Sequence, residues 1–183
     1  ELGLVGSEMC IRDRFTATEW IEGQSLKQHI RNSSLDTATV LEIFIPLAEG
    51  LVECHQQGLI HRKIQPSHII LSSAGPKLIS FQWVDEIAGE DLQRDQQSAY
   101  QALGHRPKYL APEWMQDALI TDAADVYALS ACILEAVNHR SQSWHEAPTI
   151  FHACLAAGLH PDPEDRSRSK GLLSDLRQCT NLY

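Results

Sequence analysis

Within eight residues, His61-Arg62-Lys63-Ile64-Gln65-Pro66-Ser67-His68 gathers two imidazoles, two cations and an amide, then runs into the apolar Ile69-Ile70-Leu71. As chemistry the set is one-sided. Lys63 is a cation and a hydrogen-bond donor only, and Gln65 is neutral. His68 offers an imidazole, which suits a hard magnesium ion poorly. Downstream, Ser80-Phe81-Gln82 supplies a hydroxyl but no negative charge, and the first carboxylates after it are Asp85 and Glu86. Further acidic groups stand in Ala111-Pro112-Glu113, in Asp125-Val126-Tyr127-Ala128-Leu129 and in Asp162-Pro163-Glu164-Asp165-Arg166. The nine histidines are scattered along the chain, and no metal-ligating set stands out among them. The five cysteines, Cys10, Cys54, Cys132, Cys154 and Cys179, lack the two-residue spacing of a zinc or redox motif. No metal centre is expected, and the thiols are expected reduced and mostly buried.

Taken in order, these segments resemble the eukaryotic-type (serine/threonine) protein kinase superfamily. That family carries a His-Arg-Asp catalytic loop, then a Lys-Pro and an Asn, an apolar strand, Asp-Phe-Gly, Ala-Pro-Glu and the aspartate of a buried central helix. The segment from His61 to Leu71 looks like the loop and strand, and Ser80-Phe81-Gln82 stands where the family has Asp-Phe-Gly. Ala111-Pro112-Glu113 matches the end of the activation segment, Asp125 the start of the central helix, and Asp162 to Arg166 the closing Asp-Pro-x-x-Arg element. Each alone is common by chance; the same order over residues 15 to 183 is not.

The resemblance implies that the catalytic positions are degenerate and that none is intact. The family's base aspartate is Lys63 here, and the lysine that meets the transferring phosphate is Gln65. The magnesium-binding asparagine is His68, and the principal magnesium-binding aspartate is Ser80. Positions with structural jobs keep the family's residues. His61 and Phe81 belong to a packed column crossing the lobe, Arg62 reaches into the activation segment, and Pro66 shapes the loop. Asp125 should accept backbone hydrogen bonds from His61 and Arg62, and Glu113 should pair with Arg166. Tyr109 and Trp114 are read as core aromatics. Ser98 and Tyr100 are read as solvated loop hydroxyls rather than phosphorylation sites facing Arg62. Four residues separate Gly104 from Tyr109, one more than the family's usual spacing.

The function implied is a pseudokinase, a kinase-like domain of the signalling class that works by binding an unidentified protein partner. The alternative is an atypical ATP-dependent serine/threonine kinase that recruits Asp85 and Glu86. Thr18-Glu19-Trp20-Ile21-Glu22-Gly23 resembles the hinge between kinase lobes. It implies adenine contacts from the backbone of Glu19 and Ile21, with Thr18 in the gatekeeper position. No cofactor is expected; any ATP binding should be weak and independent of magnesium, since no carboxylate is placed to hold the ion.

The elements that must position these residues follow from periodicity. Phe15 to Ile21 suits a strand, and Ser25 can cap a short helix through Leu26 and Ile30. A clearer helix starts at Asp36 or Thr37, with Val40, Leu41, Phe44, Leu47, Ala48, Leu51 and Val52 at helical spacing. Pro46 predicts a kink or break in it, and Gly58 its stop. A β-hairpin is expected from Ile69 to Ile79, turning at Gly75-Pro76. Residues 83 to 110 read as a long loop, 122 to 137 as a helix too apolar for a surface, and 148 to 158 as shorter helical pieces. A last amphipathic helix should start near Arg166 and bury Leu172, Leu173, Leu176 and Cys179.

The fold class expected is α+β: a protein-kinase-like, mainly α-helical C-terminal lobe with a short β-hairpin. The family's glycine-rich loop and strand lysine have no counterpart, so the N-terminal strand lobe is expected to be absent from this chain. Residues 1 to 14 are set apart, because Gly6 to Arg14 resembles translated adapter sequence; a displaced native loop is the alternative. Residues 15 to 183 form the single domain. At 183 residues, 43% apolar and 21% charged, the chain has the composition of a globular domain with a substantial core. Its net charge of −9, without a basic stripe, argues against nucleic-acid and anionic-membrane partners. No apolar run approaches a membrane span and no signal peptide is visible, so a cytoplasmic protein without membrane insertion is expected.

Overall fold

In the computed structural model, the residues described are 19–33, 35–80, 97–98, 107–116, 118–138 and 147–181. Among them are five α-helices and one small antiparallel sheet of three strands. Ser25 begins the first helix through a capping box. Its Oγ accepts from Gln28 N at 3.3 Å, while Ser25 N donates to Gln28 Oε1 at 3.1 Å. Helix α1 (Leu26–Asn32) then buries Leu26 and Ile30 one turn apart.

Helix α2 (Thr37–Gln56) is capped by Asp36, whose Oδ1 accepts from Thr39 N at 2.8 Å. It runs unbroken through Pro46, so of the kink or break expected there the break does not occur. Proline removes the hydrogen bond to the carbonyl four residues back, and here that residue is Glu42. Both Pro46 and Glu42 are exposed, so water can satisfy the carbonyl. The helix ends in a two-bond Schellman motif: Gly58 N donates to His55 O at 3.1 Å and Leu59 N to Cys54 O at 2.9 Å. Gly58 takes φ +74°, the left-handed conformation that glycine adopts freely.

The hairpin joins β2 (Ile69–Ser72) to β3 (Gly75–Leu78), with Ile69 opposite Leu78 and Ser72 opposite Gly75. Its turn is therefore Ser73-Ala74, and the expected turn at Gly75-Pro76 is corrected. Pro76 lies within β3, tolerated because that strand is the sheet's edge. A third strand, β1 (Gln24–Ser25), pairs with β2 at the other edge. Of the strand expected over 15–21, the described part, Glu19 to Ile21, is not strand.

Helix α3 (Ala123–Asn138) is the centre of the molecule. One side packs Val126, Leu129, Cys132, Ile133 and Val137 into the main core; Ala124, Tyr127 and Ala131 face a second cluster with Trp114 and Ile120. A helix enclosed on both sides reads as apolar all round, which the sequence had shown. Helix α4 (Thr149–Gly158) is one continuous element rather than shorter pieces. It ends where only glycine fits: a Cβ on Gly158 would lie 2.1 Å from Ser130 Oγ of α3. Helix α5 starts at Ser169, three residues later than expected, runs to Thr180 and buries Leu172, Leu173, Leu176 and Cys179. Among the described residues no helix is long and apolar enough to cross a membrane.

Candidate functional site

Asp125, in the first turn of α3 and 1% exposed, organises the site. Its Oδ1 accepts from Arg62 N at 2.7 Å, and its Oδ2 accepts from His61 N at 2.7 Å and from His55 Nε2 at 3.1 Å. A carboxylate holding two backbone N–H groups fixes the turn that enters the loop. Arg62 there adopts φ +64°, a conformation that costs a side-chain-bearing residue roughly 1–2 kcal/mol. His55, in the last turn of α2, was not singled out from the sequence. Its other nitrogen, Nδ1, is buried and lies 3.9 Å from Asp122 Oδ2, beyond hydrogen-bond range. No local pattern marks it.

Two histidines of the loop have their tautomers set by their partners. His61 is fully buried; its Nε2 donates to Ile79 O at 3.1 Å, while its Nδ1 accepts from Lys63 N at 3.2 Å. Burial pushes the His61 pKa below its ordinary value, against the opposing pull of Asp125. His68 is turned back on its own loop. Its Nδ1 donates to Lys63 O at 2.8 Å, and its Nε2 accepts from Gln65 Nε2 at 3.1 Å. Gln65 and His68 thus brace each other across the short 3-10 turn Pro66–His68. The Lys63 side chain is exposed. Ser80, also exposed, takes φ +65°.

A cleft of about 100 Å³ lies between this loop and the segment from Pro107 to Trp114, with Arg62, Lys63, Gln65, Tyr109, Trp114 and Asp125 in its wall. Asp125 is the one carboxylate among its lining residues. Arg62 Nε is buried with no hydrogen-bond acceptor among the described residues. Burial lowers the Arg62 pKa, although Asp125 counteracts it. Trp114 is a core residue, whereas Tyr109 is half-buried and its hydroxyl donates to Glu135 Oε2. Lys108 Nζ meets the same carboxylate at 3.0 Å. Burial first, then Glu135, raise the Tyr109 pKa, so its phenol stays protonated.

On the far side of α3, Arg166 uses all five of its N–H donors. Nη1 and Nη2 donate to Glu113 Oε1 at 2.7 Å and Oε2 at 2.9 Å. The remaining donors reach Ala123 O at 2.8 Å, His160 O at 2.9 Å and Pro161 O at 3.2 Å. The guanidinium also lies 5.1 Å from the centre of the Tyr127 ring. This cluster ties the Pro112–Met115 turn and the residues before α5 to the start of α3.

The structure therefore brings His61, Arg62 and Asp125 together, and separately Glu113 and Arg166. Glu19 is exposed and Ile21 half-buried, both just ahead of β1. Ser98 is exposed. Residues 1 to 14, Thr18, Phe81, Asp85, Glu86, Tyr100 and Gly104 lie outside the described residues. Among the described residues no group of three or more His, Cys, Asp or Glu side chains could hold a metal ion. Cys54 is half-buried, Cys132, Cys154 and Cys179 are buried, and all four are free thiols. Burial pushes Cys154 up to about 12, far from a reactive thiolate.

The protein kinase domain family matches residues 9–171. The serine/threonine-protein kinase PknK of Mycobacterium tuberculosis is 30% identical over 148 residues, 80% of this chain and 13% of that protein. Serine/threonine-protein kinase C of Synechocystis is 32% identical over 120 residues, covering 64% of this chain and 22% of the relative. Serine/threonine-protein kinase pkn2 of Myxococcus xanthus is 27% identical over 183 residues, 95% of this chain and 21% of its own length. The chain thus spans less than a quarter of each of these relatives.

Proposed function

The chain belongs to the protein kinase domain family, and on that premise we propose that it is a catalytically silent kinase domain that acts by binding a protein partner. In this reading the described helices and small sheet correspond to the family's C-terminal lobe, and Lys63, Gln65, His68 and Ser80 occupy its chemical positions. One observation carries the proposal: the loop is closed on itself. The Gln65 amide nitrogen donates to His68 Nε2 at 3.1 Å, and His68 Nδ1 donates to the Lys63 carbonyl at 2.8 Å. The one carboxylate among the cleft's lining residues, Asp125, is committed to two backbone N–H groups and His55. Phosphoryl transfer needs a base-like acceptor for the substrate hydroxyl and carboxylate ligands for magnesium. An exposed cation at Lys63 and an exposed hydroxyl at Ser80 serve neither purpose.

Nucleotide contact would fall to the backbone at Glu19 and Ile21, which needs no particular side chain. With no carboxylate among the described residues placed to hold magnesium, any such binding is weak and independent of the ion.

The test is phosphate transfer from labelled ATP to protein substrates, with calorimetric ATP titrations in excess Mg²⁺ and again in EDTA. It is run on this chain and on a longer protein that carries it. No transfer and no magnesium requirement are expected. Turnover that disappears in Asp85→Ala would overturn the proposal in favour of an atypical kinase with recruited carboxylates. The relatives' names as serine/threonine kinases are what give that second reading its weight.

A further inference from the structure

The His55 imidazole, 4% exposed, stands in the last turn of α2 and faces the first turn of α3. Its Nε2 donates to Asp125 Oδ2 at 3.1 Å, which in the neutral ring leaves a lone pair on Nδ1. That nitrogen is buried, has no hydrogen-bond partner among the described residues, and lies 3.9 Å from Asp122 Oδ2. A carboxylate has no hydrogen to give, so the two acceptors are mismatched, and a buried polar atom left unpaired is costly. One proton taken from solvent onto Nδ1 turns the mismatch into a charge-assisted bond, for which the carboxylate must close in by about 1 Å. Asp122 has room to do so. Its side chain is 29% exposed, and its other oxygen, Oδ1, is held by the exposed Arg168 at 3.0 Å.

We propose that His55 is a proton-operated latch: as an imidazolium it donates from Nδ1 to Asp122 and from Nε2 to Asp125, fastening the end of α2 to the start of α3. Asp125 also holds the main-chain N–H groups of His61 and Arg62, so the latch reaches the loop as well as the two helices. Imidazole ordinarily changes charge between roughly pH 5 and 8. The latch is closed at the acidic end of that range and released at the other. The remaining charged and titratable groups on the elements around it are otherwise occupied. On α2, Glu53 is exposed, while burial first and then Asp125 keep the Cys54 thiol protonated. From α5, Arg177 goes to Glu49 and Asp175 acts on Cys154 and Cys179, and Lys77 of β3 is exposed. In the loop, His61 has the opposite sense, because its lowered pKa costs stability on acidification. The latch is independent of whether the domain transfers phosphate.

The test is amide hydrogen exchange by NMR on the whole chain from pH 7.5 to 5.5, read at the Arg62 N–H and corrected for the intrinsic pH dependence of exchange. Protection in the parent, divided by protection in His55→Gln, is expected to rise about fivefold or more as the pH falls. His61 is present in both proteins, so its opposing effect cancels in the ratio. Asp122→Asn, which keeps the shape but not the charge, should lose most of the rise. Arg168→Ala, which frees Asp122 from its competing partner, should keep it or enlarge it. Nitrogen-15 spectra of the imidazole rings give a second readout: His55 Nδ1 should be bare at pH 7.5 and protonated at pH 5.5. If His55→Gln fails to fold, the parent is compared with Asp122→Asn, whose site is partly exposed. A ratio that stays flat, an Asp122→Asn protein that keeps the whole rise, an Arg168→Ala protein that loses it, or a His55 Nδ1 still bare at pH 5.5 would each overturn the inference.

Discussion

Replacing Glu113 by alanine should be among the most damaging single changes available to this protein. The Arg166 side chain is 0% exposed and that of Glu113 2%, and they share two bonds of 2.7 and 2.9 Å. Truncating the acid leaves two N–H donors and a formal positive charge in a site that water does not reach. Breaking a buried pair from one side costs about 3–5 kcal/mol. The lower end applies here, because three carbonyls still accept from Arg166 and the Tyr127 ring still faces it. For a domain of this size each kcal/mol moves the midpoint by about 2–4 °C, so a loss of roughly 6–12 °C is expected by calorimetry. Glu113→Gln should recover only part of it, since the amide nitrogen would oppose an Arg166 donor. Arg166→Met combined with Glu113→Ala should cost less than the sum of the single changes, because neither charge is then stranded. A midpoint shift of less than about 2 °C in Glu113→Ala, or strict additivity in the double variant, would show the pair to be worth no more than a surface contact.

Three further outcomes follow from the geometry. His61 has its pKa lowered on folding, so its contribution to stability is present above the unfolded value of about 6.5 and is lost as pH falls through the folded value. Urea midpoints measured from pH 7.5 downward should therefore fall, and fall less in His61→Phe; an identical slope in the variant would contradict the assignment. Gly158→Ala places a methyl 2.1 Å from Ser130 Oγ and should cost about 1–3 kcal/mol in chemical unfolding, partly restored by adding Ser130→Ala. Ser80→Gly relieves the strain of φ +65° at an exposed residue and should raise stability by up to about 1 kcal/mol; a lowered midpoint would mean that the hydroxyl has a partner.

Much of the helical frame could be read directly from the residues. The apolar stripe from Val40 to Val52, the stop at Gly58 and the all-round burial of α3 are consequences of local pattern, and the structure has them at those places. The misjudged features depend on neighbours that no local window contains. Pro46 does not break α2, where both it and Glu42 are exposed to water. Pro76 sits in a strand because that strand is an edge. β1, two residues long, exists only because β2 lies beside it. His55 was missed for the same reason, since its imidazole acquires meaning only from an aspartate 70 residues later.

The loop's attachment to α3 and the side chains it presents are carried by different atoms. Asp125 grips His61 and Arg62 through their main-chain N–H groups, and those groups are the same whatever side chain follows at position 63. Lys63 contributes its own N–H to His61 Nδ1 and its carbonyl to His68, again without using its ammonium. A lysine at position 63 is therefore free to point its charge outward at no cost to the turn. Gln65 and His68 bond to each other and so close the loop. The loop wall of the cleft is held in shape by the hydrogen bonds that His61 N and Arg62 N donate to Asp125.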